Sequence, residues 1–558
     1  MNDSYDVMIL GAGLGGTLLA AILARQGKKV LVLEKGQHPR FAIGESTTPS
    51  TTVLFKILGE RFDVPEILAL GDFDSAAAQI GPAQGIKESF SFVMHHAGKV
   101  QDPAHANQLP TIAALGSDVH LFRQDTDTFM LNAALRHGAV VQQNTGAIQV
   151  DLSGPGVVAT TASGARFEAA FVVDASGYGS VLAQTLGLRV DPCPLQTQSR
   201  AIFTHMVDVR PYDDVVPQSD LGFAYPSHKA TLHHLFDGGW MWVIPFDNHA
   251  ASTNRLCSVG FTLDCRVHPP SDLTPAEEFA KLLSDYPSIA AQFEGAKAVR
   301  SFVGTGRIQY ASSDVMGRNW ALLPHSAGFV DPLFSTGLTQ TAEAVFHLGR
   351  VLGAGEPLGP DYGDRLATSL RSADQLVSTS YDAFRRGFPV WNAWYRVWVL
   401  AQVVSPYLLV SSLSRYYRSG DAAELDAALA PDRGGLLSFG TPALGSVLED
   451  CAGFVRDTER SDQEVADAIF ARICEADLLM PSLGHLDPSR RGQAPYTLWT
   501  ILKMVWGQPR KVEGLVSPEA ARTSLVGLGW HRSREMAGMS MARVGQALGP
   551  LRRLFVAG

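Results

Sequence analysis

The stretch YDVMILGAGLGGTLLAAILARQGKKVLVLEKG, residues 5–36, leaves this chain little freedom at its start. It reads as an apolar strand (Val7 to Leu10), a glycine turn, an Ala/Leu-rich helix and a second strand (Lys29 to Leu33) closing on Glu34. In Gly11-x-Gly13-x-x-Gly16 the first glycine permits a tight turn, the second admits an anion close to the backbone, and the third lets helix and strand pack closely. The helix start offers amides and a positive dipole to a pyrophosphate, and Glu34, 18 residues after Gly16, can bond a ribose hydroxyl. Strand, helix and acid fall in register, which predicts a dinucleotide-binding βαβ unit.

Two later segments extend it. ARFEAAFVVDASGYGSVL is a strand of buried type ending at Asp174, and RNWALLPHSAGFVDPLFSTGLTQTAEAVFHLGRVL runs strand, glycine-containing loop, helix. Three separate segments thus gather around one dinucleotide. A chain of 558 residues with net charge −9 and no basic stripe can bury a large core and has nothing to attract a nucleic acid backbone. Its five cysteines form no CxxC pair and no zinc spacing, and the first residues lack a basic leader, so reduced thiols, no metal and a cytoplasmic location are expected.

These segments resemble the flavin monooxygenase superfamily of the para-hydroxybenzoate hydroxylase type and, within it, the flavin-dependent halogenases, over about residues 5 to 350. Two motifs narrow the resemblance. Trp240-Met-Trp242-Val-Ile-Pro245 is similar to the WxWxIP pattern of halogenases, and Phe329-Val-Asp-Pro332-Leu-Phe-Ser335-Thr336-Gly337 to their FxxPxxSxG pattern. Read without the family, the tryptophans are same-face residues of a strand closed by proline.

The resemblance implies an α/β fold with a discontinuous Rossmann-like FAD-binding domain (1–80, 110–190, 300–350), an interleaved substrate-binding sheet domain (81–109, 191–299) and a mainly helical C-terminal region (351–558) covering the substrate side. It implies that Gly11, Gly13, Gly16 and Glu34 hold the ADP half of FAD, that Gly44 and Glu45 of GEST lie against the flavin ring, and that Arg123 reaches the flavin side. Asp174, His325 and Asp331 join the cofactor-binding set, His325 standing in Pro324-His325 where the family usually has Gly-Asp. Thr336 and Gly337 would bind chloride or bromide through backbone amides, as oriented NH groups at a helix start suit an anion. Reduced FAD and dioxygen would then oxidise halide to hypohalous acid, and a lysine would position that acid for substitution on an electron-rich ring.

That lysine must sit in a dry site, where burial can lower its pKa. Lys87 is the candidate, with Lys99 behind it. Alternation along GIKESFSFVM would put positions 87, 89 and 91 on one face, aiming Lys87 into a cavity with two serines. Tryptophan halogenases carry a glutamate where this chain has Phe334, so a phenol-like or pyrrole-like substrate is expected, free or tethered to a carrier protein or peptide. Trp240, Trp242, Phe334 and Trp394 are placed on the substrate side. Without a second strong GxGxxG, a separate flavin reductase is the expected partner. Competing readings are an FAD-dependent hydroxylase of a large aromatic or peptide-bound substrate, an isoprenoid-type flavin reductase, and a flavoprotein assembly factor without chemistry.

Two local expectations complete the reading. Ser50 or Thr51 would cap the helix that follows GEST. The aromatic stretch from Tyr381 to Trp398 is either a core stripe or a lid whose tryptophans wall a cavity, and Arg385, Arg386, Asn392, Arg396 and two prolines argue against a membrane span.

Overall fold

The computed structural model describes residues 4–111, 116–146, 148–430, 435–479 and 481–491. The part of the expected C-terminal region beyond 491 lies outside the described residues. At the centre of the first sheet Ser4–Leu10 pairs in parallel with Val30–Leu33 on one side and Arg166–Asp174 on the other. Trp320–Leu322 extends it in parallel beyond Arg166–Asp174, and Val140–Gln142 beyond Val30–Leu33. The runs Val7–Leu10 and Val30–Leu33 are buried on both faces, as a parallel sheet covered by helices requires. The Leu14–Arg25 and Gly337–Ala354 helices supply much of one cover.

The second sheet is mostly antiparallel, in the order Lys297–Ala298, Ser199–Val207, Cys257–Asp264, Gly239–Pro245, Ala230–Phe236, Ser89–Met94, Ala106–Pro110. Val303–Arg307 also pairs with Ser199–Val207, so this sheet reaches beyond the expected boundary at 299. The edge of Ser199–Val207 still has backbone groups to satisfy, and the chain satisfies them before returning to the first sheet. One face presents Val93, Leu232, Met241, Val243 and Phe261 to the Pro275–Asp285 helix. The other carries Phe90, Phe92, Trp240, Trp242 and Ile244 and is covered by the helices after residue 360.

Asp361–Arg386 and Phe388–Ser419 are consecutive helices joined at Gly387, whose φ of +92° suits a residue without a side chain. The Phe388–Ser419 helix is 32 residues long and carries Pro406 in its interior. It is long and apolar enough to cross a membrane, yet its most apolar stretch is entirely buried. Phe92, Phe334 and the Pro442–Arg456 and Asp462–Ala476 helices share one apolar cluster with it.

Candidate active site

The dinucleotide end is built from three chain segments in contact. Gly11 has φ +106°, and a Cβ there would stand 2.7 Å from the Ala175 carbonyl oxygen; a Cβ on Gly16 would stand 2.1 Å from that of Gly11. At Gly13 a Cβ would meet only Arg40, at 3.7 Å, so this side of the turn is open. No side chain caps the helix that starts at Leu14. Glu34 accepts from the Ala12 amide at 2.7 Å and the Gly36 amide at 2.8 Å. Burial raises its pKa, but those amides and Arg40 outweigh burial and hold the carboxyl below its ordinary range. Asp174 is fully used by protein: it accepts from Ser176, Ser180, Ser326 and the Leu182 amide, and so clamps the second segment to the third. An open glycine turn, uncapped amides and an acid at the strand end fit the ADP half of a dinucleotide.

At the other end Gly44 has φ +92° and donates its amide to Glu45 Oε2 at 2.9 Å. Arg123 donates to the carbonyls of Ile43 and Gly44 at 2.8 and 3.0 Å and makes a two-point pair with Asp127. It therefore braces the turn from behind. The helix after the turn is Pro49–Phe62, capped by Thr48 and not by Ser50 or Thr51, because Pro49 takes the first helical position and Thr48 accepts from the Thr51 amide.

Lys87 ends the short strand Gly85–Lys87, which pairs with Asp118–His120 rather than continuing into Ser89–Met94. Glu88 breaks the alternation, donating its amide to the Lys229 carbonyl. As a result Lys87 does not share a face with Ser89 and Ser91; its Nζ lies 3.2 Å from the centre of the Phe90 ring, on the opposite face of that strand. Nζ is fully buried and donates to Ser46 Oγ at 2.7 Å and the Thr47 carbonyl at 2.6 Å. Burial pushes its pKa far down, against the attraction of Asp118. Ser46 bonds Thr231 Oγ1 at 2.7 Å, Thr231 bonds His120 Nε2 at 3.0 Å, and His120 Nδ1 lies 3.1 Å from the carbonyl of Pro245, the proline that closes the WMWVIP segment.

The remaining expected residues fall in two places. Thr336 and Gly337 open the Gly337–Ala354 helix, which no side chain caps, after Ser335 at φ +54°. A Cβ on Gly337 would lie 2.8 Å from His325 Nε2, so His325 stands against this helix start. Burial, and behind it the charge of Arg123, push the His325 imidazole down to about 4. Phe334 stacks on Trp398 at 5.1 Å, and Trp398 meets Phe90 at 5.0 Å. Trp240 and Trp242 lie 5.9 Å apart on the same sheet face, Trp242 donating to Ser258. Two expectations are corrected. Asp331 spends its carboxylate within the protein, accepting from Ser199 and Tyr381 on one oxygen and from the Leu333 amide on the other. Trp394 donates to Ser380 of the neighbouring Asp361–Arg386 helix and packs between helices, so Trp398 is the tryptophan of this helix that reaches the Phe90 ring beneath Lys87.

Residues 73–399 match the tryptophan halogenase family and residues 9–63 an NAD(P)-binding Rossmann-like domain. The chain belongs to the tryptophan halogenase family of flavin-dependent halogenases. It is 39% identical over 499 residues to the tetracycline 7-halogenase of Kitasatospora aureofaciens, covering 87% of this chain and 89% of that one. It is 36% identical over 537 residues to the monodechloroaminopyrrolnitrin halogenase PrnC of Pseudomonas fluorescens, covering 91% and 92%. The crystal structure of halogenase PltM in complex with phloroglucinol and FAD superposes with a TM-score of 0.83 at 38% identity, over 88% of this chain and 99% of that one. This halogenase is thus an enzyme of the flavin-dependent oxidoreductase type.

Several residues around the candidate site carried no signal in the sequence. Arg40 stands beside Gly13 and 3.6 Å from Glu34, with no motif to mark it. Ser46, Thr47, Asp118, His120 and Thr231 surround Lys87 only because two sheets meet there; Ser46 and Thr47 stand in GEST, and the others carried no local signal.

Proposed function

We propose that the halogenase uses FAD, dioxygen and chloride or bromide to halogenate an oxygenated, electron-rich aromatic ring, with Lys87 as the residue that positions the halogenating agent. The supporting observation is the setting of Lys87: an amine sealed from solvent, fixed by two acceptors, with aromatic rings on its open side. Gly11, Gly13, Gly16, Glu34 and Arg40 would hold the ADP half of the cofactor, and Gly44 and Glu45 the turn beside its ring. Bound in reduced form, FAD supplies with dioxygen the oxidising equivalent that converts halide to hypohalous acid. Thr336 and Gly337 offer uncapped amides to the halide, and His325, neutral above about pH 5, adds no charge that would compete for it. Transfer is then HOX plus ArH to ArX plus water. The buried Lys87 exchanges a hydrogen bond or a proton with the departing hydroxyl, and the wall of Phe90, Phe334 and Trp398 keeps bulk water from consuming the reagent.

Phe334 supports a phenol-like or pyrrole-like substrate. An apolar ring stands where tryptophan halogenases have a carboxylate, so the substrate must stabilise its own cationic intermediate, as phenols and pyrroles do. PltM was crystallised with phloroglucinol, a ring bearing three hydroxyls. A free substrate fits better than a tethered one: the relatives matched over about nine-tenths of this chain have names without a carrier protein, whereas those acting on pyrrole-carbonyl carrier protein match 61% and 60% of it. The enzyme acts in the cytoplasm with a separate flavin reductase.

The test combines flavin reductase, NADH, chloride or bromide and a panel of phenols with wild type and Lys87→Met. Wild type should give products heavier by one halogen less one hydrogen. Lys87→Met should bind FAD and still halogenate a diketone trap in solution, while losing ring halogenation at least a hundredfold. Halide-independent products carrying only an added oxygen would refute halogenation; full activity in Lys87→Met would remove the lysine from its role.

A further inference from the structure

Gln402 lies in the middle of the Phe388–Ser419 helix, only 2% exposed, and neither its amide oxygen nor its amide nitrogen has a hydrogen-bond partner. A buried carboxamide left unpaired at both ends is costly, about 1–3 kcal/mol for each unsatisfied group, so it calls for a functional partner or a bound water. A second observation points to the same spot. Pro406, four residues on, has no N–H to give to the Gln402 backbone carbonyl, so a third polar atom here lacks its helical donor.

The neighbours locate this position. Trp398, one turn before Gln402 on the same helix face, stacks on Phe334 and meets the Phe90 ring that carries Lys87 Nζ. Ser405, one turn after it, accepts from Ser50 Oγ at 3.4 Å, three residues beyond the Thr47 carbonyl that holds Lys87. Gln402 is therefore bracketed between the aromatic wall and the turn of the Lys87 site.

We infer that Gln402 is a substrate-positioning residue that recognises a phenolic hydroxyl on the ring to be halogenated. Such a hydroxyl both donates and accepts, and so can satisfy the amide nitrogen, the amide oxygen or the Gln402 carbonyl, where an ether or a hydrocarbon edge would leave a donor-acceptor pair broken. This rests on the proposed aromatic halogenation for its substrate class. Its experiment, however, reads binding apart from turnover.

Oxidised, FAD-loaded wild type, Gln402→Met and Gln402→Glu are titrated with 1,3,5-trihydroxybenzene and with 1,3,5-trimethoxybenzene, following tryptophan fluorescence in the absence of reductant and halide. The two rings are similarly electron-rich and differ in the hydroxyl hydrogens. Wild type should prefer the hydroxylated ring, and Gln402→Met should reduce that preference at least tenfold while its melting temperature stays level or rises, because a buried unpaired amide has been replaced by an apolar chain of similar length. Gln402→Glu keeps the shape and loses the amide donor, so it reads the same loss if the methionine variant does not fold. A preference unchanged within twofold in either folded variant, or no preference in wild type, overturns the inference. Hydroxyl-dependent binding without halogenated product would instead overturn the proposed reaction and leave Gln402 in its role.

Discussion

Asp118 is the carboxylate paired across the strand from Lys87, and its replacement by asparagine tests the electrostatics of the site. The group is buried; Thr52 donates to one oxygen at 3.2 Å and the other oxygen has no partner. Burial, only partly offset by Lys87 and Thr52, raises its pKa to about 7. A folded-state pKa raised above the unfolded value of about 3.9 means that the folded protein binds an extra proton between those values. The contribution to stability is therefore fully present below pH 4 and is lost as pH rises towards 7. Working the linkage through, wild type loses about 1–2 kcal/mol from this group by pH 5 and about 4 kcal/mol by pH 8. Asp118→Asn should escape the loss, so its stability relative to wild type should climb by about 2–3 kcal/mol between pH 5 and pH 8.

The difference between the two pH profiles is the informative quantity, since the broken Thr52 contact and any repacking shift the mutant by an amount independent of pH. At roughly 1–2 °C per kcal/mol for a chain this long, the melting temperatures of the two FAD-loaded proteins should separate by about 3–5 °C over that range. Parallel profiles would refute the reasoning. They would mean that the carboxylate ionises at its ordinary pH and forms a true ion pair with a charged Lys87, so that burial does not win at this site. A mutant that loses stability relative to wild type as pH rises would say the same more strongly.

At the dinucleotide turn, Gly13→Ala should keep its melting temperature and lose FAD affinity, since the new methyl meets only Arg40; Gly16→Ala should lose both, by about 1–3 kcal/mol in stability, because its methyl has the Gly11 carbonyl 2.1 Å away. Equal melting temperatures for the two variants would show that the clash relaxes freely. Thr231→Val, which keeps shape and removes the hydroxyl between Ser46 and His120, should leave FAD bound and lower ring halogenation about tenfold with a shifted pH profile; an unchanged profile would uncouple that hydroxyl from Lys87.

The parts of the fold visible in the sequence are those specified by neighbours along the chain. The Leu14–Arg25 helix between two parallel strands could be read because turn glycines, apolar runs and Glu34 are local signals with fixed spacing. The helical cover over the Phe90 and Trp240 face was legible from aromatic spacing between residues 381 and 398. Alternation failed at Glu88, where one residue turns the chain from a two-stranded ladder into the large sheet, and no property of KESF announces that change of partner. Asp331 and Trp394 were misplaced for a similar reason: a motif gives residue identity and order, while Tyr381, Ser199 and Ser380, which settle where the two side chains point, come from other strands and helices.

The hydrogen bonds around Lys87 have a direction that follows from chemistry alone. A carbonyl oxygen only accepts, so His120 must carry its proton on Nδ1 facing Pro245; the ring is neutral, with its pKa pushed down to about 3 by burial and then by Lys87. Its Nε2 then accepts, which commits the single Thr231 hydrogen to His120, commits the Ser46 hydrogen to Thr231, and leaves a Ser46 lone pair for Lys87. The amine gives one hydrogen to Ser46 and one to the Thr47 carbonyl, and a single direction remains, towards the aromatic side where Phe90 lies. WMWVIP and GEST are thus the two ends of one oriented chain. The proline carbonyl sets the histidine tautomer, the serine of GEST passes that orientation on, and the Lys87 amine is left with one uncommitted direction, the one its proposed role would use. On this account the proline that closes WMWVIP matters to the chemistry through its backbone carbonyl, while Trp240 and Trp242 contribute by holding the strand that carries it against the helical cover.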